Sequence, residues 1–393
     1  MGLKSAKEVQ LNVFQVDDNG NFINIGEINQ FTNLEWGKAY QEYGEFKLEA
    51  PITKENLSLI KEGNILWLGE EDAMLIQIVK QDSSSDGEMT FEAEGRSLEC
   101  LLEQRCLWDS VNYETQYAST IMYDIVAKNC ISPVLTKRKI PFLEASTDQK
   151  IGGQISYQKI GESVYEALTE VAETSGLGFR IKFDPYNKKL VFDVYAGTDR
   201  SVNQSTVSFV EFSTEVDDIL ESSFYHNVQD YRNVAWVWGG EMDPDDENYQ
   251  PQIKYETGAI ESVGFARKEL FVDADDIERV VSDKDGDEIV LSETVYKEQL
   301  AQRGQEELGE NPLSESLEAE LRQFGFVQNV LDEDYFLGDI VTISNYIMGV
   351  RTDARVTGYT YNITNDFTID MTFGYGYPTL LEAVKRTVRR MKR

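Results

Sequence analysis

The chain has 393 residues, with 70 acidic against 37 basic side chains and a formal net charge of −33. That balance excludes a general nucleic-acid-binding surface, which needs a basic footprint, while 41% hydrophobic and 11% aromatic residues can build real cores, enough for two to four domains. One histidine, His226, and three cysteines without CxxC spacing, Cys100, Cys106 and Cys130, exclude two-histidine zinc motifs and a disulfide scaffold.

In chain order, residues 9–95 read as short strands with polar turns. Residues 9–16 and 21–25 form a predicted hairpin around an Asp-Asn-Gly turn. Strands are expected at 34–40 and 45–49, separated by Tyr43-Gly44, and again at 64–68, 73–79 and 89–94. This texture predicts a barrel or sandwich of about ninety residues. It changes at Gly95. Residues 97–103 read as a short helix with Ser97 as candidate cap, and residues 120–129 as another. Val164, Leu168, Val171 and Ala172 fall at helical spacing over 163–174, with Gly176 and Gly178 to end the helix. Residues 179–183 and 189–195 then make a hairpin, so 96–200 reads as a small α+β domain.

From Val207 strands return. Residues 222–231 and 233–238 look like a hairpin pair, followed by acidic turns at 239–249 and 273–278. Residues 292–310 predict a long solvent-facing helix with Val295, Leu300 and Leu308 as its apolar side, stopped at Asn311-Pro312. Residues 314–324, 326–330, 337–343, 351–361 and 368–373 read as strands. Over 379–393, Leu380, Leu381, Val384 and Val388 make one helical stripe, and Lys385, Arg386, Arg389, Arg390, Lys392 and Arg393 a basic cluster. That end reads either as a solvated helix docking on its own acidic protein or as a contact to a partner chain.

Catalytic chemistry finds little support. Asp283, Asp285 and Asp287 begin like a calcium loop, but Gly286 stands fourth instead of sixth and Glu293 eleventh instead of twelfth. No GxSxG accompanies His226, and no glycine-rich stretch fits a phosphate loop. Paired carboxylates, as in glycosidases, are not excluded by composition. Neither metal nor cofactor is expected. No leader is visible, nor an apolar run of the roughly eighteen residues a membrane helix needs, so synthesis in a cytoplasm is expected.

Two regions combine into a resemblance: FTNLEWGKAYQEYGEFKLEAP at 31–51, then LGDIVTI at 337–343, ARVTGYTY at 354–361 and TFGY at 372–375. In this order the chain resembles the siphovirus Gp37-like family of phage and prophage tail proteins, similar in turn to baseplate hubs and to the N-terminal part of tail-associated proteins. The resemblance implies a mainly β protein with α+β parts, a multidomain tail hub with two barrel-like tube domains and a small α+β domain. It places the first barrel at 1–95, the α+β domain at 96–200, the second barrel at 201–240 with 314–378, an acidic insertion with a helix at 241–313, and the basic helix at 379–393. Trp36, Gly44, Phe46, Gly338, Asp339, Arg355 and Val356 carry over as fold-making positions, none catalytic. Gly44 is expected to permit a bend or a positive φ, and Arg355 to pair with Asp339.

The function implied is a structural hub or tail-tip ring that continues the tail tube. It would be a homotrimer, with a distal tail or tube protein above, tip, fibre or lysin proteins below, and phage DNA passing without specific binding. It would be made in the bacterial cytoplasm and built into the virion tail tip. With no hydrolase appendage before Arg393, an enzyme is not expected. The alternatives are a cell-wall or polysaccharide hydrolase using two carboxylates and a carbohydrate-binding adhesion module.

Overall fold

A computed structural model describes residues 9–374 apart from 18–20, 70–71, 84–88, 160, 214–218, 243, 246–248, 283–287, 310, 312, 322–328, 347–348 and 365–366. The candidate calcium turn, most of the expected strand at 326–330 and the basic segment 379–393 therefore lie outside the described residues. The chain divides into two compact units, Met1–Ser223 with Leu317–Arg393, and Phe224–Ser316.

The first unit opens with strands β1 (Leu11–Val16), β2 (Phe22–Ile28), β3 (Asn33–Ala39) and β4 (Glu45–Pro51), helix α1 (Lys54–Leu59), and strands β5 (Ile65–Gly69), β6 (Asp72–Ser83) and β7 (Met89–Ser97). Alternation places one face inward: Phe46, Leu48 and Ala50 of β4 are buried and stand opposite Gly95, Ala93 and Phe91 of β7. Helix α1 was not foreseen. It is one and a half turns, capped by the Thr53 hydroxyl, which accepts from Asn56 N at 3.0 Å.

Next come helix α2 (Cys100–Glu103), β8 (Val111–Tyr117), α3 (Ala118–Val126), β9 (Leu143–Ala145), β10 (Gln154–Lys159), α4 (Val164–Ser175), β11 (Gly178–Asp184) and β12 (Lys189–Tyr195). Helix α4 meets its expectation. Ser163 Oγ accepts from Glu166 N, Gly176 closes the end at φ +67°, and Val164, Leu168, Val171 and Ala172 are buried. Ser97 does not cap α2. It ends β7, and its hydroxyl accepts from Gly44 N at 2.8 Å. Phe183 of β11 packs edge-on against Phe14 and Phe22, with ring centres 5.2 and 5.0 Å apart, so the α+β segment and the first strands share one core.

The rest comprises β13 (Glu211–Ser213), β14 (Ile219–Asn227), β15 (Val234–Gly239), β16 (Lys254–Gly258), β17 (Glu269–Ala274), β18 (Val280–Ser282), β19 (Glu288–Val290), α5 (Glu293–Gly309), β20 (Ser314–Leu321), β21 (Ile340–Asn345), β22 (Val350–Ile363) and β23 (Phe367–Gly374).

The two expected barrels are not present. The first and last strands join one 13-stranded sheet, in the order β14-β20-β23-β22-β3-β4-β7-β6-β5-β1-β2 with β21 and β13 attached at β22, and among the described residues no sheet closes on itself. The cause is β22. Its 14 residues pair with β21 along Val350–Arg355, then with β23 on one edge and β3 on the other along Gly358–Ile363. The edge of β3 that would have to close a seven-strand barrel is occupied by β22, so the two halves fuse into an open sheet.

The expected hairpin of 222–231 with 233–238 is also corrected. β14 belongs to the large sheet, whereas β15 is the centre of a separate three-stranded sheet, antiparallel to β16 and parallel to β17. Helix α5 covers one face of that small sheet. Its buried side is Tyr296, Leu300 and Gly304, with Leu308 half-buried, a spacing of four. Val295, expected inside, is 43% exposed. Gly304 lets the helix approach: a Cβ there would overlap methyl groups of Thr257 and Val237.

Candidate functional site: a buried junction around Tyr40

The turn after β3 carries Tyr40 into the interior of the first unit, where it is fully buried. Its hydroxyl donates to Gly176 O at 3.1 Å, or to Tyr195 O at 3.3 Å, and accepts from Gly197 N at 3.2 Å. Burial pushes the phenol above its ordinary range. The neighbouring Gln41 donates to Ala172 O at 2.8 Å, and Tyr43 N donates to Tyr165 Oη at 3.1 Å. One turn thus ties the β3–β4 hairpin to both ends of α4.

The turn before β21 reaches the same place. Gly338 sits at φ +96°, and a Cβ on it would overlap the Tyr40 ring. Asp339, 3% exposed, lies beneath it. One carboxylate oxygen accepts from Thr198 N at 2.7 Å; the other accepts from Arg200 Nε at 2.8 Å and Phe336 N at 3.0 Å. The expected Asp339–Arg355 pair is therefore not formed. Asp339 takes its cation from Arg200, and Arg355 donates to Gly338 O at 2.6 Å while its guanidinium stands 5.3 Å from the Tyr40 ring centre. Arg355 is registered opposite Ile340, one residue past Asp339 in the antiparallel ladder, and side chains of successive residues point to opposite faces. Val356, fully buried, exchanges backbone bonds with Gly338 and Asp339, both at 2.8 Å.

The remaining expected positions lie one strand away. Trp36 and Phe46 are opposite each other on β3 and β4, buried, with ring centres 6.0 Å apart. Gly44 is not at a positive φ. It is required for closeness instead, because a Cβ there would overlap the Gly37 carbonyl. So Gly338, Asp339, Arg355 and Val356 come together around Tyr40, while Trp36, Gly44 and Phe46 hold the hairpin that delivers it. Sequence reading missed Tyr40, Arg200 and Thr198. Only Tyr40 left a signal, lying inside the 31–51 segment.

The arrangement is a structural lock. Asp339 is paired with Arg200, Arg355 is held by a carbonyl and a ring, and no nucleophile stands beside a base in it. His226, on β14, is exposed, and among the described residues no group of His, Cys, Asp and Glu could hold a metal ion. No helix among the described residues is long and apolar enough to cross a membrane.

Residues 11–375 match the family model described as Siphovirus ReqiPepy6 Gp37-like protein. No protein of curated function matches the sequence. Among solved structures, the 43 kDa tail protein of prophage MuSo2 from Shewanella oneidensis aligns with TM-score 0.56 at 14% identity, over 93% of this chain and 98% of that one. A tail protein from Neisseria meningitidis MC58 gives 0.54 at 13% identity, over 93% and 96%. Prophage tail protein gp18 from Listeria monocytogenes EGD-e gives 0.53 at 11% identity, over 98% and 100%.

Proposed function

Since the chain belongs to the siphovirus Gp37-like family and is a structural component of a phage or prophage tail, we propose that it is the hub or tail-tip protein whose copies close a ring continuing the tail tube. The observation that carries this reading is the family match over residues 11–375, almost the whole chain. The proposed ring is a homotrimer. A distal tail or tube protein sits above it, and tip, fibre or lysin proteins below. The protein is made in the host cytoplasm and enters the virion at the tail tip. DNA passes through without being held, and the charge of −33 suits a wall that repels it. The lock around Tyr40 suits this role, because a ring wall that carries load must not hinge between its halves.

The fold-making positions Trp36, Gly44, Phe46, Gly338, Asp339, Arg355 and Val356 serve that rigidity in this proposal, and the basic residues Lys385, Arg386, Arg389, Arg390, Lys392 and Arg393 serve contact between chains. Negative-stain electron microscopy of the purified protein, alone and mixed with tail-tube protein, tests it. Closed rings with three-fold symmetry are expected. The absence of rings at every concentration and in both mixtures contradicts it.

A further inference from the structure

The small sheet of the Phe224–Ser316 unit is covered on one face only. Along β15, Ala235 and Val237 face α5, while Trp236 and Trp238 point the other way and remain 37% and 36% exposed. Phe271 of β17, registered opposite Trp236, is 60% exposed and meets Trp238 edge-on at 5.2 Å. A shallow cleft of about 360 Å³ opens between Trp238, Phe271 and Glu241, Gln252, Asp273 and Asp275. An ammonium already occupies the aromatic surface: Lys254 Nζ stands 3.4 Å from the centre of the Trp238 ring. Aromatic rings edged by carboxylates are the chemistry that accepts a cation on an apolar stem.

Charge narrows the occupant. The unit has 23 acidic and eight basic residues, so it holds −15 of the chain's −33. Residues 379–393 are the opposite, with six basic and one acidic side chain among Leu380, Leu381, Val384 and Val388. Copies of so acidic a chain repel one another, and this segment, with a net charge of +5 over 15 residues, reverses the sign strongly.

We propose that the outer aromatic face of the Phe224–Ser316 unit, Trp236, Trp238 and Phe271 with their carboxylate rim, receives the basic segment 379–393 of a second copy of the chain. The apolar side chains of the segment cover the exposed rings. Its lysine and arginine heads take the face of Trp236 and the carboxylates of Glu241, Asp273 and Asp275, while Lys254 keeps its place on Trp238. The idea rests on the self-assembly reading for the presence of a second copy, but the contact itself needs no ring.

The test uses the full-length chain with all six basic residues of 385–393 changed to glutamine, which leaves the face vacant, and a fluorescein-labelled peptide of residues 379–393. Anisotropy should show saturable binding that weakens as salt rises from about 50 to about 300 mM. The double variant Trp238→Ala with Phe271→Ala should weaken it about tenfold or more, with the far-ultraviolet circular dichroism unchanged because both side chains are exposed. No saturable binding, equal binding of a scrambled peptide, or unchanged binding to the double variant would each overturn the proposal. Rings without peptide binding sink this contact alone, and peptide binding without rings sinks the ring alone.

Discussion

The two units differ in their aromatic cores: both expose aromatic side chains, Trp108, Tyr186 and Phe209 in the larger at 54%, 84% and 59%, but the larger also buries a set of them that the smaller lacks. In the larger, Trp36, Tyr40, Phe91, Phe179, Phe183 and Phe212 are buried, and the polar atoms of the Tyr40 junction find partners within the same unit. In the smaller, Tyr296 is the large buried aromatic among the described residues, while Trp236, Trp238, Phe265 and Phe271 stay exposed. The difference separates two uses of the same residue types. One unit completes its own interior and is built to keep its shape. The other is a two-layer piece with a helix on one face and an unfilled aromatic surface on the other, as expected of an element whose cover is another molecule.

The largest expected effect falls on the junction. Asp339→Ala removes the acceptor of two backbone N–H groups and leaves Arg200 with no counter-charge beneath the surface. A loss of about 3–5 kcal/mol is expected from chemical denaturation. A double-mutant cycle sharpens this. Asp339 and Arg200 should be coupled by about 1 kcal/mol or more, whereas Asp339 and Arg355 should show much weaker coupling, since Arg355 donates to Gly338 O instead. Strong coupling of Asp339 to Arg355 with none to Arg200 would break the account of the lock.

A middle-sized effect concerns Glu99. It is 6% exposed, one oxygen accepts from Ile181 N at 2.6 Å, and burial raises its carboxyl above the usual range. A raised folded value means that the stability tied to this proton is complete below the unfolded carboxyl's value of about 4.3 and is lost as pH rises through the folded value. Glu99→Gln keeps the shape without the charge. Its stability relative to the parent should therefore rise from pH 4 to pH 7. Parallel stability curves for the two proteins would refute this.

The smallest effect is expected on the outer face of the second unit. Trp238→Ala and Phe271→Ala should each cost about 1 kcal/mol, through loss of their mutual edge-on contact and of the Lys254 contact on Trp238, since no core is opened. A loss of several kcal/mol would mean that this face is a core, and the contrast between the units would disappear.

Local features of this fold were legible in the sequence. The run 45–49 marked β4, and Val164, Leu168, Val171 and Ala172 at helical spacing with Gly176 as the stop marked α4 within one residue at each end. What was lost depended on distance or on shape. Nothing in the local pattern of 350–363 says that β22 will pair with β3, more than three hundred residues earlier, and that pairing turns two expected barrels into one open sheet. Arg200 lies 139 residues from the carboxylate it serves. On α5, counting apolar residues favoured Val295, while the buried row runs through Tyr296 and the space left by Gly304. The expected pairing of Arg355 with Asp339 fails through distance along the chain: the carboxylate takes Arg200, which no local pattern connects to it, and Arg355 turns to Gly338 O.

The most direct measurement is a symmetric cryo-electron-microscopy reconstruction of the assembled tail tip with the surface potential of its bore. The account predicts a closed ring of this chain, a bore wide enough for duplex DNA or sealed by a movable plug, and a lumen of net negative charge. A chain that lies outside the ring, or a lumen lined mainly by lysine and arginine, would contradict it.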